Sequence, residues 1–214
     1  MANSEPVFLG LPMTVRDVVR VARDNVPVTL HDEARHEVAQ SRAYVERILA
    51  DHKTVYGITT GFGKLATVRV SPSDTQQLQR NLILSHAMGV GEPLSREVVR
   101  AMLLLRAQSL ALGYSGIRPQ VIDLIVHCLN RQVHPIVPSQ GSVGASGDLA
   151  PLAHMSLLLL GEGKAEYQGV VMTAIEALGR AGLEAVTLEA KEGLALINGT
   201  QAMTALGALV LHDA

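Results

Sequence analysis

The sequence predicts a mainly α-helical protein, in which a mixed N-terminal region leads into the start of a long-helix bundle. Three observations carry this reading. Helix-start signals recur: Thr14 with Asp17, Ser71-Pro72-Ser73-Asp74, and Thr173 with Glu176. Each places a hydroxyl where it can accept an N–H of the first turn, with an acid three residues on. The segments that follow are apolar at helical spacing and end near glycines. Aromatic residues make up only 3% of the 214 positions against 48% hydrophobic ones, so the core must be built from Leu, Val, Ile, Ala and Met.

Taken in order, the Thr14 box opens a helix carrying Val15, Val18, Val19 and Ala22. Val26–Leu30, around Pro27, is extended at most. Asp32–Ala50 has apolar positions at Ala34, Val38, Tyr44, Val45, Ile48 and Leu49 and reads as a helix. Tyr56-Gly57-Ile58-Thr59-Thr60-Gly61-Phe62-Gly63 is rich enough in glycine to be a loop. Ser71 then caps a helix with Pro72 at its first position, running to about Ala87 and ending in Met88-Gly89-Val90-Gly91. Ser95 caps a long helix to about Leu112, stopped by Gly113, and Pro119 opens another ending near Arg131.

Gly141–Gly147 is a loop, and Ser146 or Asp148 starts the helix that carries Leu152, Met155, Leu158 and Leu159. Tyr167-Gln168-Gly169-Val170 suggests a small hairpin turn. A short helix follows Thr173 and ends near Gly179, and the last helix begins around Glu189. Gly193–Leu211 is apolar and nearly free of charge. A helix apolar all round needs neighbours all round, which points to oligomerisation or to the front part of something longer. The division expected is residues 1–110, mainly helical with an active-site loop, and 111–214, an incomplete central helical domain.

Composition excludes several functions. A net charge of -2 with scattered basic residues leaves no footprint for nucleic acid. The one cysteine, Cys128, cannot close an internal disulfide and fits a reducing, cytoplasmic compartment. Residues 1–15 lack the features of a signal peptide. Leu149–Leu160 is too short to span a bilayer, and Asn198, Thr200 and Gln201 make Leu194–Leu211 a core helix, not a membrane span. His127 and His134 have no metal-ligand spacing with Cys128, and His154 reads as a core histidine with a hydrogen-bond partner.

Ala145-Ser146-Gly147 has the composition for a backbone cyclisation. Glycine lets the Gly147 nitrogen approach the Ala145 carbonyl carbon. Ring closure expels one water, and loss of the Ser146 hydroxyl expels a second and leaves an electron-poor alkene. Gly141 and Gly144 permit a compressed backbone, and the following helix start offers donors where negative charge develops. The same residues also suit a plain turn and helix cap. The phosphate-loop patterns GxxxxGK[ST] and GxGxxG are absent here.

The string Gly141–Gly161 resembles the signature of the aromatic amino acid ammonia-lyase family, in which Ala-Ser-Gly becomes the 4-methylidene-imidazol-5-one (MIO) electrophile. Three further segments resemble the family in the same order. These are Tyr56–Gly63, its tyrosine-bearing loop; Asn81–Gly91, its selectivity segment; and Glu192–Thr200, its asparagine region. The resemblance covers essentially the whole chain. It implies the ammonia-lyase/fumarase-like helical fold, a self-made cofactor from Ala145, Ser146 and Gly147, and no metal, pyridoxal phosphate or nucleotide. It also implies a homotetramer with composite active sites, and complete members more than twice this length.

Ser85-His86 resembles the pair found in the family's histidine-specific members, and His86 offers a ring nitrogen to an imidazole. The implied reaction takes L-histidine to trans-urocanate and ammonia. Tyrosine or phenylalanine as substrate, and a non-catalytic helical module, remain as alternatives. Tyr56 is the candidate base or its helper; a phenol is a weak base near neutral pH, so that role needs nearby positive charge. Asn198 reads as a buried amide interrupting an apolar helix, able to donate to the ring carbonyl. Gly144 supports the loop, and Asp148 orients it, caps the next helix, or both.

Overall fold

The computed structural model describes residues 5–51, 53–61, 70–71 and 74–214. The first helix, α1 (Val15–Arg23), starts on a complete capping box. Thr14 Oγ1 accepts the Asp17 N–H, and Asp17 Oδ2 accepts the Thr14 N–H at 3.0 Å. The expected extended piece is a strand, β2 (Val28–Leu30). It pairs in parallel with β1 (Val7–Leu9), with Val7 opposite Val28 and Leu9 opposite Leu30. Crossing from one to the other, α1 buries Val18, Val19, Val21 and Ala22.

α2 (Asp32–Ala50) has the expected bounds. Below it a small separate cluster joins Val45 and Ile48 to Ile58 of the following turn. α3 (Thr75–His86) follows Ser71, whose Oγ accepts the Asp74 N–H at 3.2 Å, while Pro72, Phe62 and Gly63 lie outside the described residues. α4 (Arg96–Ala111) is the central helix, buried on nearly every face and packed by α1 and α2. Ser95 holds its N-cap position without a side-chain capping bond. α5 (Pro119–Asn130) begins with Pro119 in its first turn, where the missing N–H is harmless.

Two short sheets complete the frame. β3 (Val90–Pro93) pairs antiparallel with β5 (Pro138–Gln140). β4 (Val133–Pro135) joins a hairpin of β6 (Lys164–Tyr167) and β7 (Val170–Thr173) in the order β4-β6-β7. The hairpin is the one expected: Gln168 at φ 51° and Gly169 at φ 79° supply the two left-handed residues of a tight turn. α6 (Leu149–Leu157) follows the glycine-rich loop. α7 (Ala174–Arg180) starts at Thr173, but the expected box with Glu176 does not form; Glu176 pairs with Arg180 at 2.7 Å instead.

The last helix differs from expectation. It is two helices, α8 (Glu192–Ile197) and α9 (Gln201–Asp213), broken at residues 198–200. Nor is α9 enclosed. Ala202, Ala205 and Leu209 pack toward α4 and α1, while Met203, Leu206, Val210 and Leu211 are exposed. By length and composition Glu192–Asp213 could cross a membrane; the break at residues 198–200 divides that stretch into two short helices. One hydrophobic cluster runs from Val7 of β1 to Leu209 of α9.

Buried polar groups tie this core together. Glu192 is fully buried and takes both arms of Arg118, Nε at 2.8 Å and Nη2 at 2.7 Å. Arg100 donates to Val21 O, Leu129 O and His134 Nε2. Burial, with the Arg100 and Arg96 charges nearby, pushes His134 down to about 3. Its unfolded value lies near 6.5. The unfolded chain therefore binds the extra proton first as pH falls. The contribution of His134 to stability should be constant above pH ~6.5 and decline below it by up to about 1.4 kcal/mol per pH unit. Urea midpoints measured from pH 7 to 4.5 should show this slope, and His134→Gln, which keeps an acceptor for Arg100, should reduce it, leaving the part that His154 contributes in the same direction.

Candidate active site

The β3–β5 pair builds the site. β3 leaves α3 four residues after His86, and β5 runs directly into Gly141, so their pairing sets the end of α3 beside the glycine-rich loop. The two backbones touch: a Cβ at Gly141 would stand 3.3 Å from Gly89 Cα and 3.1 Å from Ala150 Cβ. His154 of α6 locks the junction, its Nε2 accepting the Gly89 N–H at 3.0 Å. This is the partner expected for that histidine, and it is a structural tie between the two halves of the site. Burial lowers its pKa, which suits the acceptor role.

Between these segments lies a cleft of about 350 Å³ lined by Ser85, His86, Ser146, Gly147, Val143 and Leu149, among others. His86 Nδ1 donates to Leu82 O at 2.8 Å and approaches Ser85 Oγ at 3.2 Å. With Nδ1 committed to the backbone, Nε2 is the lone-pair nitrogen of the neutral ring.

The loop forms a 3-10 turn over Gly144–Ser146. Gly147 N donates to Gly144 O at 3.0 Å, and Val143 N donates to Gly147 O at 3.0 Å. Ala145 and Ser146 are exposed at its crest. Gly144 at φ 60° and Gly147 at φ 132° both occupy backbone space that favours glycine. At Gly147 a Cβ would meet nothing within 4 Å, so the requirement there is conformational, not steric.

Asp148 is fully buried and anchors this turn. Ser142 Oγ donates to its Oδ1, and Met203 N donates to its Oδ2 at 2.9 Å. The carboxylate therefore orients the loop, as one reading expected, but it does not cap its own helix α6. It caps α9 instead, across the fold. Its backbone N–H reaches Gly199 O at 2.8 Å.

Of the predicted residues, the structure brings Ser85, His86, Ser146 and Gly147 into one cleft, with Gly144, Ala145 and Asp148 in the same loop. Tyr56 stands exposed in the turn that follows α2 and does not line that cleft. Asn198 is corrected: it is no buried amide within a helix but an exposed residue at the C-cap of α8, at φ −83° and ψ 96°. It is still close to the loop, because the next residue, Gly199, accepts the Asp148 N–H. Sequence reasoning missed Ser142, which also accepts the Gly144 N–H at 3.0 Å, and Arg106, which holds Asn198 O at 2.9 Å. A serine inside the glycine run carried a signal for Ser142; an arginine in an apolar helix carried little for Arg106. Among the described residues no three His, Cys, Asp or Glu side chains gather where a metal could be held.

A sequence profile described as "Aromatic amino acid lyase" matches residues 13–214. The chain belongs to this family. It is 60% identical over 208 residues to the histidine ammonia-lyase of Gloeobacter violaceus, covering 97% of this chain and 40% of that protein. To that of Alkaliphilus metalliredigens it is 55% identical over 204 residues, covering 95% and 40%. Among solved structures, histidine ammonia-lyase from Trypanosoma cruzi matches with a TM-score of 0.91 at 40% identity, over 97% of this chain and 40% of that one. Pantoea agglomerans phenylalanine aminomutase matches with a TM-score of 0.92 at 38% identity, over 98% and 40%. The chain thus spans 40% of the length of these relatives. The mainly α fold expected of an aromatic amino acid lyase is the fold observed.

The backbone reading of this lyase loop is testable. Gly147→Ala should destabilise the chain by roughly 1–3 kcal/mol although its methyl meets no neighbour. Urea denaturation measures this; a loss near zero would mean the loop relaxes to an ordinary conformation.

Proposed function

We propose that this chain supplies the electrophile-forming loop and the ring-binding side chain of a lyase that converts L-histidine to trans-urocanate and ammonia. The observation that carries the reading is the shared cleft, in which Ser85-His86 faces the Ala145-Ser146-Gly147 turn. The relatives named histidine ammonia-lyase support the substrate.

The loop residues fit the MIO group. Gly147 lies in backbone space open to glycine, no side chain crowds it, and buried Asp148 fixes the segment that leads from the turn into α6. Ring closure joins Gly147 N to the Ala145 carbonyl carbon, and two waters leave, one from that carbonyl and one from Ser146. The group so formed supplies an electron-poor alkene for the substrate amine.

The other residues act around it. His86 Nε2 accepts the N–H of an imidazole ring, orienting its β-carbon toward the base. Tyr56 serves as that base or as its helper in the complete, homotetrameric lyase. Asn198, at the break before α9, donates to the oxygen where negative charge develops. The product's double bond forms as the β C–H and C–N bonds break, and the proton and ammonia leave. The lone Cys128 supports a cytoplasmic setting, and the scattered charge argues against nucleic-acid or membrane partners.

Intact mass and urocanate absorbance test this together. Ser146→Ala, which has no hydroxyl to expel, should lack the second water loss and abolish turnover, and full activity in that variant would defeat the proposal. His86→Leu should shift preference from L-histidine toward L-tyrosine or L-phenylalanine, because the apolar side chain then meets a hydrocarbon ring; an unchanged preference would remove His86 from the selectivity role.

A further inference from the structure

Arg106 is buried in α4, and among the described residues no carboxylate pairs with it. Its Nη1 donates to Asn198 O at 2.9 Å and to Gln201 Oε1 at 3.0 Å. Its Nε has no hydrogen-bond partner among the described residues. Burial lowers its pKa to about 10. Taking a guanidinium out of water without a counter-ion is expensive, so its place needs a compensating interaction. The geometry supplies one. Asn198 is the C-cap of α8, and a cation there meets the negative end of the helix.

Gly199 shows how closely the clamp is built. Its backbone is outside the left-handed region, so glycine is not required for conformation. A Cβ there would stand 2.4 Å from Arg106 Nη1 and 2.1 Å from Gln201 Oε1. The missing side chain is the space the guanidinium and the Gln201 amide occupy. On the other side of the same break, Gly199 O takes the Asp148 N–H at 2.8 Å, and Asp148 Oδ2 takes the Met203 N–H at 2.9 Å. Two buried groups of opposite charge thus hold one three-residue break, each at the helix end that suits its sign.

We propose that Arg106 is a positioning residue for the reactive loop. By gripping Asn198 O and Gln201 it fixes the break between α8 and α9. Through the two Asp148 bonds that break sets where Ala145-Ser146-Gly147 and the Asn198 side chain stand. The coupling rests on the structure alone; its consequence for turnover rests on the lyase reading above.

Hydrogen exchange on the chain reads the coupling without any turnover. In Arg106→Gln, amide exchange should rise roughly 10–100-fold at residues 198–204 and also at 142–148, while α5 keeps its protection. Gly199→Ala should reproduce this pattern with Arg106 still present, so the test survives if Arg106→Gln does not fold. Arg106→Lys, which keeps the cation, should recover part of the protection. A rise confined to 198–204, or no rise, would overturn the proposal. In the assembled lyase, Gly199→Ala and Arg106→Lys should lower kcat, toward roughly 100-fold for the former, with KM for L-histidine held. Equal loss in both constants would also count against positioning. Coupled exchange in a protein that never turns over L-histidine would defeat the functional reading and leave this inference standing.

Discussion

The fold around the loop depends on one buried carboxylate. Asp148 has no cation beside it among the described residues, yet it is fully buried, a placement that desolvation opposes by several kcal/mol unless its oxygens are satisfied. Both are: one by the Ser142 hydroxyl, the other by the Met203 N–H in the first turn of α9. The same residue gives its own N–H to Gly199 and its carbonyl to Leu152 N at 2.9 Å, opening α6. One residue therefore joins the loop, the helix after it and the last helix of the chain. The positive end of α9 stabilises the charge that no side chain neutralises.

That arrangement explains why α8 and α9 are two helices. The apolar pattern runs on from Leu194 to Leu211, and the local signals for a stop are confined to Asn198-Gly199-Thr200. The break comes from tertiary demand: Asp148 needs an exposed helix start to cap, and Arg106 needs an exposed helix end to donate to. A continuous helix would have used the Asn198 carbonyl and the Met203 N–H for itself. Local propensity favours continuity, and the two buried charges outweigh it.

The elements readable from sequence were those whose cause is local. The Thr14 box, Pro119 at a helix start and the Gln168-Gly169 turn each act within a few residues, and each stands where expected. The three-residue strands were not readable as pairs, because Val7–Leu9 meets Val28–Leu30 across a helix and Val90–Pro93 meets Pro138–Gln140 across two. The glycine-rich segment was readable as a loop because its glycines act on the local backbone. Asn198 was misread for the reason α8 was: periodicity placed it inside a helix that tertiary contacts divide. Thr173 shows the opposite error, a capping pattern with no capping bond, because Glu176 is taken by Arg180.

The cleft combines a held frame with an exposed crest, and this combination bears on selectivity. Its anchors are buried or in backbone contact: Asp148 behind the turn, Gly89 against Gly141, His154 across the junction. Ser146 at the crest is exposed, flanked by the apolar side chains of Val143 and Leu149. A ring entering between them meets hydrocarbon on the loop side. Its polar contact on the α3 side is Ser85-His86, with Nδ1 of the histidine already spent on Leu82 O. On the proposed reading, a phenyl ring would leave Nε2 without a partner once water is excluded, whereas an imidazole N–H would satisfy it. An unmade hydrogen bond to a desolvated group costs about 1–3 kcal/mol, and on that reading this difference would separate the two rings without any contact that recognises imidazole by shape.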